Sequence, residues 1–341
     1  MISSRCALGT DGRMQVDDGR WHGTEQVVVI LPVYHPDARL HRCLAALRAQ
    51  EGVAFRLHVV VTGTLPEEFL PDLAALPQTR IMWIAPAAFN HGGTRWAAAQ
   101  VYGRAAIFVY LTQDAVLADG TALDRLVRVF RRPQIGCAYG RQLPQADASP
   151  VARFARAFNY GARSQVRSFA DRERYGVKAA FLSNSFAAYR GETLAAVGGF
   201  PTQTILCEDM YVAAKMLMAG WQVAYVAEAE AYHSHDYTLL QEARRYFDFG
   251  VFHARESWIQ QTFGKAEGEG VRFVREEARF LLREAPWLLP SMVLRDGLKF
   301  LSYRLGRLER YLPLGVKRRL SMTKSFWERR QGESDDDRRS R

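Results

Sequence analysis

The chain has 341 residues and carries 46 lysines and arginines against 36 aspartates and glutamates, a net charge of +10. That length allows one large or two modest domains with a full core, and the charge favours anionic partners, whether nucleotide, nucleic acid or anionic lipid. Cys6, Cys43, Cys137 and Cys207 lie far apart with no CxxC spacing, which argues against a disulfide framework or a zinc site, and no apolar run approaches the ~18 residues of a spanning helix.

In chain order, residues 1–25 are rich in Gly, Asp, Ser and Arg, lack periodicity, and read as a disordered leader without the apolar core of a signal peptide; Met14 is an alternative start. Residues 26–31 form a buried strand that Pro32 stops, opening the loop Pro32-Val33-Tyr34-His35-Pro36. Leu40, Leu44 and Leu47 share one face of a helix. Strands follow at 57–61 and 81–84, then a loop at Phe89-Asn90-His91-Gly92-Gly93-Thr94 and a helix over 95–103. The helix returns to the apolar run 107–111, which suits a strand buried on both faces. Alternating strands and helices predict a parallel, doubly wound α/β sheet.

Beyond this, the pattern predicts a helix over 117–131, a strand over 135–139 and a helix over 151–169. It then predicts a strand over 181–189, a helix start near Glu192, a helix over 210–219 stopped by Gly220, and a short strand over 222–226.

Three clusters could do chemistry. Asp114, in Thr112-Gln113-Asp114-Ala115, sits at the carboxyl end of the 107–111 strand, where open α/β sheets meet ligands. It either contacts a metal diphosphate or caps the next turn. Glu208-Asp209 opens a helix, a place that the helix dipole alone favours for acids. His233 and His235, read as strand residues, would put both rings on one face. One carboxylate and one histidine would hold a hard cation, with manganese tolerating imidazole, and a free carboxylate would serve as base for an acceptor hydroxyl. The Gly92-Gly93 pair before a helix suits phosphate or a simple turn, and it is not the GxGxxG of a dinucleotide fold.

The ordered segments ILPVY, FNHGGTR, LTQDA, YGRQLP, SNSFAAYR, GGF, EDMYVA, YVAEA and YHSHDYT, spanning about Val27 to Arg255, resemble the rhamnosyltransferase branch of the inverting family 2 glycosyltransferases. The resemblance implies a GT-A-type nucleotide-diphospho-sugar transferase fold, an α/β domain with a mostly parallel central sheet. It implies a nucleotide-sugar donor, dTDP-L-rhamnose, a glycan or lipid-linked acceptor, and Mg²⁺ or Mn²⁺. It puts Asp114 in the place of the family's metal carboxylate, with His233 or His235 completing the metal site. Asp209 becomes the catalytic base, with Glu208 placing it. Pro32, Tyr34, Gly93, Thr94, Arg95, Gln113 and Asp114 fall where the donor is held. The chain departs from the family at Thr62-Gly63-Thr64, where an acidic residue usually contacts the base, and at Trp96, where the branch tends to carry Asn.

These readings divide the chain into a GT-A domain over 26–260 (donor nucleotide half 26–116, acceptor half 117–260), a helical, amphipathic, basic extension over 261–330, and a disordered tail over 331–341. In the extension, Leu294, Leu298, Leu301, Leu305, Leu308 and Leu312 recur at helical spacing, with Arg295, Lys299, Arg304, Arg307 and Arg310 on the other side. Such a helix either lies on an anionic membrane surface, which suits a cytoplasmic enzyme peripheral to the inner face of the plasma membrane, or packs on the catalytic domain with a solvated basic face. A basic nucleic-acid-binding protein is the competing class; the chain lacks a stacking-aromatic RNA motif, so no nucleic acid is expected. A non-catalytic sugar-nucleotide-binding relative is the third reading.

Overall fold

β-Branched apolar runs supply the first four strands. The computed structural model describes residues 26–76, 78–104, 106–264 and 268–328, so the expected leader and tail lie outside the described residues. Strands β1 (Val27–Tyr34), β2 (Phe55–Thr62), β3 (Arg80–Ile84) and β4 (Ile107–Leu111) pair in parallel in the order β3-β2-β1-β4. Helices α1 (Ala38–Arg48), α2 (Leu70–Ala74) and α3 (His91–Gln100) connect them. Leu40, Cys43, Leu44 and Leu47 of α1 are buried in the same core as Val29, Leu31, Val59 and Val109, as the leucine spacing predicts.

The chain continues through β5 (Val116–Leu117), α4 (Ala122–Arg128), β6 (Ile135–Leu143), α5 (Pro150–Asn159), β7 (Gln165–Arg167), α6 (Arg172–Tyr175), β8 (Phe186–Arg190), α7 (Gly191–Ala196), α8 (Glu208–Met218) and β9 (Gln222–Tyr232). The sheet order is β3-β2-β1-β4-β8-β6-β9-β5, with β7 also against β9. Strands β1 to β4, β6 and β9 run one way, and β5, β7 and β8 run against them. The carboxyl ends of β1, β4, β6 and β9 and the amino end of β8 therefore meet at one edge, and Tyr34, Gln113, Asp114 and His233 lie at or just beyond it.

Several expected boundaries move. Pro32 does not stop β1, which runs on to Tyr34 beside β2. Pairing with β4 ends at Ile30, so beyond it β1 has a ladder on one side only, where a proline is tolerated. The expected loop 89–94 ends early, because α3 begins at His91 and takes both glycines into its first turn. A Cβ on Gly92 would fall 2.0 Å from the Pro201 carbonyl oxygen, so close backbone approach accounts for that glycine. The helix expected over 117–131 is shorter, since Val116 and Leu117 pair with β9 first. The helix expected over 151–169 stops at Asn159 and gives way to β7. Residues 181–185 precede β8 rather than belonging to it.

The chain forms two compact units. The first ends at Ser234 and holds the sheet, and the second comprises Ala148–Phe154, Gln203–Cys207 and the chain from His235 onward. In the second unit lie α9 (Leu239–Arg255), α10 (Ser257–Phe263), α11 (Glu269–Glu284), α12 (Leu289–Arg307) and α13 (Leu314–Leu320). Helices α9 and α12 cross through glycines: a Cβ on Gly306 would lie 2.1 Å from the Phe247 oxygen, and one on Gly250 2.2 Å from the Tyr303 oxygen. The buried face of α12 carries Met292 and Gly306 together with paired polar groups. Arg295 pairs with Glu242 at 2.8 Å, Lys299 with Asp296 at 3.2 Å, and Arg307 donates to Gln260 Oε1 at 2.6 Å. Val293, Leu294, Phe300, Leu301, Leu305 and Leu308 are exposed. Of the expected basic face, Arg295, Lys299 and Arg307 turn inward while Arg304 and Arg310 are exposed; of the leucine stripe, Leu294, Leu301, Leu305 and Leu308 face out and Leu298 and Leu312 are half-buried. No described helix is long and apolar enough to cross a membrane.

Candidate active site

Asp114 follows β4 at the common edge. Its Oδ2 lies 3.8 Å from Arg39 Nη1, and its Oδ1 lies 3.6 Å from His233 Nε2. Arg39 is fixed by Asp37, which caps α1 by accepting from the Arg39 backbone N–H at 2.9 Å and holds the guanidinium through Nε at 3.0 Å and Nη2 at 2.7 Å. His233 leaves β9 alongside the end of β6, its backbone N–H donating to the Leu143 carbonyl at 2.8 Å. Asp114, His233 and His235 each offer a ligand atom, all within 4.8 Å of one another. The two histidines lie beyond the last residue of β9, so strand pleating is not what brings their rings together. His235 comes two residues further along the same segment and is half-buried.

The residues expected to hold the donor are anchored by hydrogen bonds. Gln113 extends the sheet with its side chain, accepting from the Tyr34 N–H at 2.9 Å and donating to the Tyr34 carbonyl at 3.0 Å. That amide bridges β1 and β4 where their backbone pairing has stopped, and the Tyr34 side chain stays exposed. Pro32 lies two residues earlier on β1. Asn90 caps α3 by accepting from the Gly93 N–H at 2.7 Å, while its own N–H donates to Thr94 Oγ1 at 3.1 Å. Arg95 is buried, donates to the His91 carbonyl at 2.9 Å, and sets Nη1 3.2 Å from Glu208 Oε1.

Glu208 and Asp209 are the first two residues of α8 and sit opposite the chain that enters β8. Asn184 serves both carboxylates. Its Nδ2 donates to Glu208 Oε1 at 3.1 Å, and its backbone N–H donates to Asp209 Oδ2 at 3.1 Å. The Tyr189 hydroxyl donates to Asn184 Oδ1 at 2.7 Å and so fixes that amide. Asp209 Oδ1 also accepts from the adjacent Met210 N–H at 2.8 Å, and both acids lie in the first turn of α8, where the helix dipole favours them. Burial would raise the Glu208 carboxyl, but Arg95 and then His91 hold it below its ordinary range. Burial, and then the charge of Glu208, push the Asp209 carboxyl up to about 7. Two adjacent acids are thereby set apart, one ionised and one ready to exchange a proton near neutral pH.

The two clusters are joined. His233 Nδ1 lies 2.9 Å from Gln142 Oε1, Gln142 Nε2 donates to Ser183 Oγ at 2.9 Å, and Ser183 precedes the Asn184 that holds both acids. Asp114, Glu208, Asp209, His233 and Arg95 thus belong to one constellation. Arg39, Gln142, Arg156, Ser183 and Asn184 were not singled out from the sequence. Gln142, Ser183 and Asn184 fall in the segments YGRQLP and SNSFAAYR that carry the resemblance, and Arg39 stands two after a capping Asp, but nothing there marked them individually.

A mostly parallel α/β sheet that gathers a carboxylate, two histidines and a split acid pair at its carboxyl edge is the architecture of a nucleotide-sugar transferase of GT-A type. The model of the family described as "Glycosyltransferase like family 2" matches residues 25–247, and the chain belongs to that family. It is therefore a glycosyltransferase. It is 46% identical over 302 residues to the O-antigen chain rhamnosyltransferase RfbN of Salmonella typhimurium, covering 89% of this chain and 96% of that protein. It is 43% identical over 300 residues to the O-antigen chain rhamnosyltransferase WbaN of Salmonella anatum, covering 88% and 95%. Among solved structures, the mannosyltransferase PcManGT of Pyrobaculum calidifontis, in complex with GDP-Man and Mn²⁺, shares the fold at a TM-score of 0.53 and 18% identity over 91% of this chain and 86% of that one. Residues 1–349 of S. aureus TarS match at 0.52 and 13%, over 90% and 92%.

Proposed function

We propose that the protein transfers L-rhamnose from dTDP-L-rhamnose, with inversion, to a hydroxyl of a growing, lipid-linked surface polysaccharide. The observation that carries transfer chemistry is the acid pair opening α8, with Asn184 donating to both Glu208 Oε1 and Asp209 Oδ2, in a setting where burial and then Glu208 push the Asp209 carboxyl up. The choice of sugar and polymer rests on the two O-antigen chain rhamnosyltransferases, which match nearly end to end.

In this reading Asp209 accepts the proton of the acceptor hydroxyl as its oxygen attacks the anomeric carbon. The bond from that carbon to the diphosphate oxygen breaks on the opposite face, and the electron pair leaves with the nucleoside diphosphate. Asn184 keeps one Asp209 oxygen engaged, so the carboxyl is oriented before the acceptor arrives. Arg39, 3.8 Å from Asp114, is proposed to meet diphosphate oxygen, and Pro32, Tyr34, Gly93, Thr94, Arg95, Gln113 and Asp114 to hold the donor. A hard divalent cation fits Asp114 with His233 or His235, and by ligand type the imidazoles suit Mn²⁺ better than Mg²⁺. When bound, it neutralises charge on the departing diphosphate.

The exposed apolar row of α12, flanked by the exposed rings of Trp287 and Tyr311, supports a further part of the proposal, that the enzyme works at the cytoplasmic surface of an anionic membrane. Arg275, Arg279 and Arg283 are exposed on α11 of the same unit and could meet anionic headgroups.

Incubation with nucleotide sugars and a lipid-linked rhamnose-accepting glycan tests the reading. Rhamnosyl product that requires dTDP-L-rhamnose and a divalent cation is expected. Transfer from another nucleotide sugar would overturn the donor, and cation-dependent donor binding without transfer or hydrolysis would favour the non-catalytic relative.

A further inference from the structure

We propose that Gln142, itself set by Arg156, is a positioning residue that keeps the His233 proton on Nδ1 and aims the Nε2 lone pair at Asp114. Gln142 lies near the end of β6, 2% exposed, and both ends of its amide are engaged. Its Oε1 accepts from Arg156 Nη1 on α5 and lies 2.9 Å from His233 Nδ1; its Nε2 donates to Ser183 Oγ at 2.9 Å.

The direction of the amide is decided by the arginine. A guanidinium has donors and no acceptor, and it does not lose its proton in proteins. The group facing Arg156 must therefore be the carbonyl oxygen, because a flipped amide would set N–H against N–H. Arg156 is itself anchored, its guanidinium lying over the Tyr160 ring, 5.8 Å from the centroid. With Oε1 fixed as an acceptor, His233 Nδ1 has to donate. In the neutral imidazole the other nitrogen then carries the lone pair, and that nitrogen is the one 3.6 Å from Asp114 Oδ1.

The opposite tautomer would set two acceptors against each other at 2.9 Å in a buried place, where an unmade hydrogen bond is costly. Metal-binding histidines generally hand their second N–H to an acceptor that orients the ring. Here a neutral amide takes that part, and its polarity is imposed by a cation on a neighbouring helix. The same amide donates to Ser183, so one glutamine ties the orientation of the ring to the segment that holds Asp209.

The inference rests on the reading of Asp114 and His233 as metal ligands, and the test separates the two. The tautomer is read by ¹⁵N NMR of His233 in metal-free protein at a pH high enough that the ring is neutral; Nδ1–H is expected in wild type, with loss of that preference in Gln142→Leu. Affinity for Mn²⁺ alone is then measured by paramagnetic resonance of the free ion, for wild type, Gln142→Leu, Gln142→Glu and Asp114→Asn. Gln142→Leu should lose about 10-fold to 100-fold in affinity. Gln142→Glu, which still offers an acceptor to both Arg156 and His233, should recover most of it, and that recovery also shows that the site has folded. An Nε2–H ring in wild type, or a Gln142→Leu protein that binds Mn²⁺ as tightly as wild type while Asp114→Asn does not, would overturn the role of Gln142 and leave the metal site standing. If wild type shows Nδ1–H but binds no Mn²⁺, the metal reading falls and the positioning of the ring survives.

Discussion

The carboxyl edge of the sheet and helix α12 treat polar side chains alike and apolar ones in opposite ways. At the edge, Arg95, Gln142, Asn184, Glu208 and His233 are all buried, and each has a charged or hydrogen-bonding partner. In α12, Arg295 and Lys299 likewise turn inward to acidic partners. Burying such groups is tolerable only when they are paired. At the edge, the paired network leaves Asp209 able to take up a proton and His233 Nε2 facing Asp114. In α12 it shares the inner face with Met292 and Gly306, while Leu294, Leu301 and Leu305 stand outside. Under the proposed function, buried polarity serves chemistry in one place, and in the other it lies opposite an exposed apolar row.

The largest effect that would sharpen this contrast is expected at Asp209. Asp209→Asn keeps shape but removes the proton acceptor, and transfer should fall by about 10²-fold to 10⁴-fold while nucleotide-sugar binding is nearly unchanged. Equal rates in mutant and wild type would remove Asp209 from the reaction. Next comes Arg95→Met, which leaves Glu208 buried without its cation; breaking such a pair costs about 3–5 kcal/mol. Because the Glu208 carboxyl is held below its ordinary value of 4.5, its contribution is present above that value and is lost as pH falls. The difference in Tm between Arg95→Met and wild type should therefore be widest near neutrality and close in acid. A constant difference across pH would show that Arg95 acts by packing alone.

A smaller effect is expected in the pH profile. Asp209 accepts a proton only when ionised, so log kcat should fall as pH drops through about 7. Glu208→Gln removes the neighbouring charge but not the burial. The acid limb should then move to lower pH, by less than the full displacement from the ordinary value of 3.8. An unmoved limb would mean that the two carboxyls do not interact.

The sequence made the parallel half of the fold legible because β1 and β4 read as apolar runs on both faces, and β2 does so from Val59 to Val61 despite Arg56 and His58. It carried Asp114, Glu208, Asp209 and His233 because each stands at a strand end or helix start, where a polar residue interrupts a pattern. It hid β9 beyond Val226, where the burial changes from both faces to one. From Ala227 to Tyr232 small apolar and polar residues alternate with the strand period, a weaker pattern than an apolar run. Gln142, Arg156 and Ser183 were hidden for another reason. Their partners lie 91, 14 and 41 residues away, and nothing local marks a glutamine as the acceptor for a distant histidine. Only the sheet order, which sets β6 between β8 and β9, brings them together.

The smallest effect on stability is expected on α12, and it is the one that would break the comparison. Phe300 is 63% exposed, and Leu301 and Leu305 are also exposed, whereas Met292 on the opposite face is buried. Serine at Phe300, Leu301 and Leu305 should each change stability by no more than about 0.5 kcal/mol, as exposed positions do. Met292→Ala should cost about 2–5 kcal/mol. If the apolar face meets a membrane, the triple serine variant keeps its Tm and loses co-sedimentation with vesicles containing anionic lipid, while wild-type binding weakens as salt is raised. If the variant instead unfolds at lower temperature, those leucines are packed in solution and the inward turn of Arg295 and Lys299 has no consequence at the surface. Unchanged binding in the folded variant would transfer the membrane contact to the exposed arginines of α11, separating charge from insertion.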